Sequence, residues 1–443
     1  MLIFYIYNLV QLVGLILLVP FLFVKAILTP RYRGRMLRRL GKGLVLDLAG
    51  FPSGRPRIWI HALSVGETAS ARSMIKELRQ RMPDAVIIFS ATTRSGEVYC
   101  RRTLADWVDV FVSFPFDIYW IVKRFVRLID PDLFVLIETD FWPNFLHILK
   151  AENKPSMLVN GRVSTSSFRN YRRLKFFFRP MFVSFDFLAM QTDDDVRKMV
   201  SLGVEPERVK ALGNLKYDTI VPVAAAGKVL LSRSDLGIPE KKLLWIAGST
   251  HPGEEEILFR VFNRVLVKMP ELFLVVAPRS IDRGDSLLAL AEKQGLIGYL
   301  RTDEPRKNSQ IMILNTMGEL AASYGICDLA FVGASLVCKG GHNPLEPAGF
   351  GKPVLFGPYM DDFSEISRDL LQAKGCLMVQ DEEELCDVLE KMVSEPDYRI
   401  EMGRRGAEFV LCQQGVTEKH LDVISRFLKK SGYSAEQTEA EKR

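Results

Sequence analysis

The sequence predicts two α/β domains in tandem, each a parallel sheet covered by helices. Three observations carry this. A chain of 443 residues exceeds what one ordinary core serves. Short β-branched and aromatic runs alternate with stretches of helical apolar spacing, in two successive series. Between the series lies VPVAAAGKVLLSRSDLGIPEKK, residues 221–242, whose proline, alanine and glycine content reads as a connector.

The chain opens on MLIFYIYNLVQLVGLILLVPFLFV, residues 1–24, in which no side chain is charged. The run is long enough to cross a bilayer core, which takes roughly 20 residues. The stretch 25–42 that follows holds seven basic residues and no acid. A cleaved signal would carry its basic residues before the apolar run, so an anchor is the better reading. The basic cluster then places everything downstream in the cytoplasm. Pro20, Asn8 and Gln11 leave an interfacial helix open beside a transmembrane one.

The first series has predicted strands at 57–61, 86–92, 133–138, 156–160 and 187–191, with helices at 69–81, 142–151 and 193–202. The second has strands at 243–247, 272–277, 311–314, 329–332, 354–356 and 377–379. A last helix follows at 416–430, then a polar tail. The expected divisions are an anchor at 1–44, domains at 45–225 and 226–415, a helix at 416–431 and a disordered tail at 432–443.

Composition excludes several classes. The formal charge is +6, but outside the seven basic residues of 25–42 there are 52 basic against 53 acidic, which argues against a general nucleic-acid surface. Six cysteines without a CxxC pair point to free thiols in a reducing compartment. Five histidines form no ligand cluster, and neither a P-loop nor a GxGxxG fingerprint occurs, so no metal or other cofactor is expected.

Ligands of open α/β sheets collect at the carboxyl ends of the strands. In HALSVGE, residues 61–67, a glycine turn leads into a helix, but Glu67 would repel a phosphate there. Glu67 either caps the helix or is a general base for a hydroxyl nucleophile. In LFVLIETDFWPN the strand ends on Glu138 and Asp140, which either cap the next helix or face the cleft. The stretch 160–182 interleaves Arg162, Arg169 and Arg172 with aromatic residues. That mixture suits a solvated face, single-stranded nucleic acid, or a greasy anionic acceptor, and the anchor favours the last. Lys216 of GNLKYD sits where a cation could meet a developing negative charge. In the second half, AGSTHPGEEE, Pro278-Arg279, NTMGEL and GGHNPLEP together describe a nucleotide pocket, with Glu346 suited to accept from ribose hydroxyls.

With these motifs in this order, the chain resembles the 3-deoxy-D-manno-octulosonic acid (Kdo) transferases of lipopolysaccharide and lipid A synthesis, including their amino-terminal membrane segment. The resemblance implies a GT-B glycosyltransferase fold: two Rossmann-like domains facing across a cleft, with the last helix crossing back. It implies metal-independent, inverting transfer of Kdo from CMP-Kdo to a glucosamine hydroxyl of a lipid A precursor at the membrane. By motif, Glu67 matches the proton acceptor, and Glu138 and Lys216 match transition-state stabilisers. Pro278, Arg279, Met317, Gly318, Glu319, Asn343, Pro344, Leu345 and Glu346 match the CMP-binding segments. Leu63 departs from the small or β-branched residue expected in HALSVGE, which puts no catalytic role in doubt. The alternative is a GT-B enzyme that uses a UDP-sugar and a lipid-linked acceptor.

Overall fold

The computed structural model describes residues 2–51, 54–220 and 231–430, so part of the expected connector, the 225/226 boundary and the polar tail lie outside the described residues. The chain divides into two compact units, Met1–Thr219 with Gly415–Arg443, and Ile220–Gln414.

The first unit is built on seven strands: β1 Arg57–Ala62, β2 Val86–Ala91, β3 Val110–Ser113, β4 Leu133–Ile137, β5 Ser156–Gly161, β6 Phe187–Met190 and β7 Val209–Ala211. They form one sheet in the order β3-β2-β1-β4-β5-β6-β7. Every pairing is parallel. Such sheets are covered on both faces, so their strands read as continuous apolar runs. The two-residue period still sorts the side chains. Trp59 joins one core with Ile88, Phe134 and Leu158, while Ile58 and Ile60 join the other with Ile87, Val135 and Val159. The second core is completed from the far end of the chain: helix Val416–Lys430 brings Val416, Leu421, Ile424 and Leu428 into it.

The second unit repeats the architecture with β8 Leu243–Thr250, β9 Leu272–Pro278, β10 Gly298–Leu300, β11 Ile311–Ile313, β12 Leu329–Val332, β13 Val354–Phe356 and β14 Cys376–Met378. Its order is β10-β11-β9-β8-β12-β13-β14, again all parallel. The order in which strands are added reverses at β1/β4 in the first sheet and at β8/β12 in the second. Crevices at such switch points are where open α/β sheets bind ligands.

Residues Leu2–Leu28 form one helix, and no helix among the described residues is long and apolar enough to cross a membrane. This corrects the expectation of a transmembrane helix. Positions 4, 7, 8 and 11 share one helical face, and that face is docked on the first unit. The Tyr7 hydroxyl donates to Asp117 Oδ2 at 2.9 Å, Asn8 Nδ2 donates to Asn144 Oδ1 at 2.8 Å, and Gln11 Nε2 donates to the Asp117 carbonyl at 2.8 Å. Phe4 lies 4.0 Å from the His147 ring. Tyr5, Leu9, Val10, Val13, Ile16 and Leu17 remain exposed. The polar residues that interrupt the run are spent on the protein, so its apolar residues form a face.

Candidate active site

Two clusters of polar residues stand at the two switch points. On the first unit, β1 ends at Ala62, and Ser64 caps the helix Val65–Ser70, its Oγ accepting from the Glu67 N–H at 3.5 Å. Glu67 Oε2 accepts from the Leu63 N–H. Capping therefore occupies one oxygen, while Oε1 makes no hydrogen bond with any described residue. Glu67 is only 7% exposed. Burial first, and then the nearby carboxylates of Glu138 and Asp140, push its pKa up to about 8.

Glu138 follows β4 in the left-handed region, φ 62°, and Asn160 near the end of β5 is left-handed too, φ 58°. Glutamate adopts this conformation reluctantly, at roughly 1–2 kcal/mol, so its surroundings must hold it. Glu138 Oε1 accepts from Asn160 Nδ2 at 3.0 Å and from Ser70 Oγ at 3.2 Å. The fully buried Asn160 also accepts, through Oδ1, from the Leu215 N–H at 3.0 Å. Gln191 Nε2 donates to the Asn160 carbonyl, Asn214 Nδ2 donates to Gln191 Oε1, and Asn214 Oδ1 accepts from the Lys216 N–H, each at 3.0 Å. One side-chain network thus fixes Glu138 and the GNLKYD turn that carries Lys216.

Sequence reasoning missed His61. It is fully buried, its ring stacked 3.7 Å from Phe114, and Nε2 lies 3.1 Å from Asp140 Oδ2. Burial lowers its pKa. A polar residue on the Trp59 face of an otherwise apolar strand was the available signal.

The basic stretch divides. Phe168, Tyr171, Phe177 and Phe178 pack against the core, while Arg169 and Arg172 are exposed and Arg162 is half-buried. No hydrogen bond or ion pair among the described residues joins these three arginines to Glu67, Glu138 or Asp140.

On the second unit, the backbones at the ends of β8 and β12 approach so closely that side chains are excluded. A Cβ on Gly333 would lie 2.6 Å from the Ser249 carbonyl oxygen; Gly248 is needed for another reason, since a Cβ there would lie 1.9 Å from the Tyr324 side-chain hydroxyl. The loop after β12 turns its amides inward, and Glu254 fills them. Its carboxylate accepts from the N–H groups of Ala334, Ser335 and Leu336 at 2.8–3.0 Å and of His251 at 3.2 Å. Of the GEEE triplet, Glu255 instead takes both Arg283 nitrogens, at 2.7 and 2.9 Å. His251 and His342, also missed from sequence, meet Nε2 to Nε2 at 3.3 Å. Burial, with Arg279 and His251 nearby, lowers the His342 pKa to about 4.

The predicted nucleotide residues surround this loop unevenly. Pro278 is buried at the end of β9 and Arg279 is exposed, its N–H bonded to the Thr250 carbonyl at 3.0 Å. Asn343 Oδ1 accepts from the Leu345 N–H at 3.1 Å, and its Nδ2 reaches Glu346 at 3.5 Å. Pro344 and Leu345 are buried. Met317 and Gly318 are exposed, whereas Glu319 is tied to Arg301 at 3.1 Å and accepts from Thr316 Oγ1. Among the described residues, no group of three or more His, Cys, Asp or Glu side chains could hold a metal ion.

Comparison with known proteins places these geometries in context. The family model described as 3-Deoxy-D-manno-octulosonic-acid transferase (kdotransferase) matches residues 35–219. A 3-deoxy-D-manno-octulosonic acid transferase of Haemophilus influenzae is 32% identical over 418 residues, covering 94% of this chain and 96% of that protein. One of Chlamydophila psittaci is 27% identical over 398 residues, 89% of this chain and 90% of that one. Among solved structures, UDP-GlcNAc 2-epimerase from Neisseria meningitidis superposes with a TM-score of 0.59 at 12% identity, over 84% of this chain and 100% of that one. MurG of Acinetobacter baumannii gives 0.54 at 13%, over 84% and 99%. At these identities the structural likeness shows the fold alone, which is GT-B.

Proposed function

Because the chain belongs to the 3-deoxy-D-manno-octulosonic acid transferase family of glycosyltransferases, we propose that it moves Kdo from CMP-Kdo to a glucosamine hydroxyl of a lipid A precursor in lipopolysaccharide synthesis. Transfer is inverting and needs no metal. The observation that carries the reading is Glu67, a buried carboxyl at a sheet switch point with one oxygen uncommitted and its proton affinity raised.

The acceptor hydroxyl attacks the anomeric carbon of Kdo from the face opposite the nucleotide. As the new C–O bond forms, the hydroxyl proton passes to Glu67, and the bond to the CMP phosphate breaks with its electron pair leaving on the phosphate. A base with a pKa of about 8 pulls harder on that proton than an ordinary carboxylate, although only a minority of molecules carry it ionised at pH 7. Lys216 balances the charge that develops on the leaving group, and Glu138 acts through it. Arg279, Met317, Gly318, Glu319 and the Asn343–Glu346 turn serve CMP.

The acceptor is a lipid, and two features of the first unit support work at a membrane surface, the cytoplasmic face of the bacterial inner membrane. The docked helix Leu2–Leu28 exposes an apolar face, and Tyr7 on its inner side lies 6.3 Å from Phe177 of the basic-aromatic stretch. Phe176 beside it is 64% exposed among arginines that include Arg169 and Arg172.

The test is incubation of the purified chain with CMP-Kdo and a lipid A precursor, with the product read by mass. An added Kdo mass is the expected result; none, or competition by UDP but not CMP, refutes the donor assignment. Lys216→Ala should cost turnover more than about tenfold, and a smaller loss would leave it an ordinary polar contact.

A further inference from the structure

Asp140 lies two residues beyond Glu138, and only half of its carboxylate is engaged. Oδ2 accepts from Thr92 Oγ1 at 3.0 Å and stands 3.1 Å from His61 Nε2. Oδ1 makes no hydrogen bond with any described residue, and the side chain keeps 10% of its surface exposed.

The contacts of His61 continue behind Asp140. Trp59 Nε1 donates to Ser90 Oγ at 2.9 Å. His61 Nδ1 lies 2.9 Å from that hydroxyl and 3.0 Å from the Ser90 carbonyl oxygen. Its Nε2 faces Asp140 Oδ2 and Thr92 Oγ1, each at 3.1 Å, so the ring is held from both ends. Core packing alone accounts for a buried histidine satisfied by Ser90. It does not account for a carboxylate that meets His61 and Thr92 on one oxygen and is left open on the other.

We propose that Asp140 is a further acceptor-binding carboxylate: His61 and Thr92 hold Oδ2, Oδ1 accepts a hydrogen bond from a hydroxyl of the sugar acceptor, and His61 is the positioning residue. This rests on the reading that the Glu67 side of the first unit receives the acceptor. The ionisable groups concerned are Glu67 and Asp117, which both feel the charge of Asp140, Glu138, which also acts on Glu67, and Arg39, which faces His61 while donating to the Phe114 and Pro115 carbonyls.

The experiment is steady-state kinetics of the full chain with CMP-Kdo and a lipid A precursor across pH 6 to 9. Asp140→Asn keeps the shape and removes the charge. It should raise the acceptor KM at least about tenfold, the scale of one hydrogen bond to a charged group, with the CMP-Kdo KM unchanged. It should also move the acid limb of kcat/KM to lower pH, because a fixed negative charge beside Glu67 is gone. His61→Gln, whose amide can take the place of Nε2 beside Asp140, should retain the wild-type acceptor KM, whereas His61→Phe should reproduce Asp140→Asn. An acceptor KM within about twofold of wild type in Asp140→Asn, an unmoved acid limb, or equal behaviour of the Gln and Phe variants overturns the proposal. Should His61→Phe not fold, Asp140→Asn decides alone. Full turnover in Glu67→Gln would defeat the base assignment instead, and leaves the acceptor KM of Asp140→Asn readable.

Discussion

Replacing Glu67 by Gln removes a titration that both folding and turnover should register. The carboxyl moves from 4.5 to about 8 on folding, chiefly through burial. Between those values the native protein keeps a proton that the unfolded chain has released. Stability from this group is therefore complete below 4.5 and is lost as pH rises through 8, at about 1.4 kcal/mol per pH unit. From pH 5.5 to 7.5 the wild-type protein should lose roughly 2–3 kcal/mol relative to the glutamine variant, which keeps an oxygen for the Leu63 N–H and has no proton to lose. Urea unfolding of both proteins at those two pH values reads the difference directly. Transfer by the variant should fall about 10²- to 10⁴-fold while CMP-Kdo binding persists, measured by calorimetry. A stability difference that does not change with pH would refute the raised proton affinity, and normal turnover would refute the base.

Two further outcomes follow from the networks. Asn160→Ala strips a donor from Glu138 and an acceptor from the buried Leu215 N–H, and should cost about 2–4 kcal/mol in urea unfolding together with most of the turnover. Glu254→Ala leaves four backbone N–H groups without their acceptor, and should destabilise the second unit by more than about 3 kcal/mol, seen as early loss of amide-exchange protection at residues 334–336.

The central strands were legible because they are apolar throughout and bounded by turn residues; helices 193–202 and 416–430 were legible to their ends. The strands that escaped were β3, β7 and β10, each three or four residues long and each at a sheet edge. Three or four residues leave little room for a pattern to show, although β14, as short and also at an edge, was legible from its apolar run at 377–379. In the candidate site, Glu67 and Glu138 stood out as acids at strand ends. His61 did not, because its meaning lies in Ser90 and Asp140, which are distant in sequence. His251 and His342 were hidden likewise, 91 residues apart. The transmembrane expectation failed for a related reason: an apolar run long enough to span cannot show that Asn8 and Gln11 dock one face of the helix on Asn144 and Asp117.

The return of the chain to its starting unit has a consequence for synthesis. Domains generally fold in the order in which they emerge from the ribosome. Here the second unit is contiguous and can close as soon as its strands are made. The first unit must wait: Ile58, Ile60, Val135 and Val159 lie in a core that also needs Leu421, Ile424 and Leu428. The earliest-made part of the protein is thus the last to be finished, and until then the apolar face that carries Ile58 and Ile60 lacks the helix that covers it.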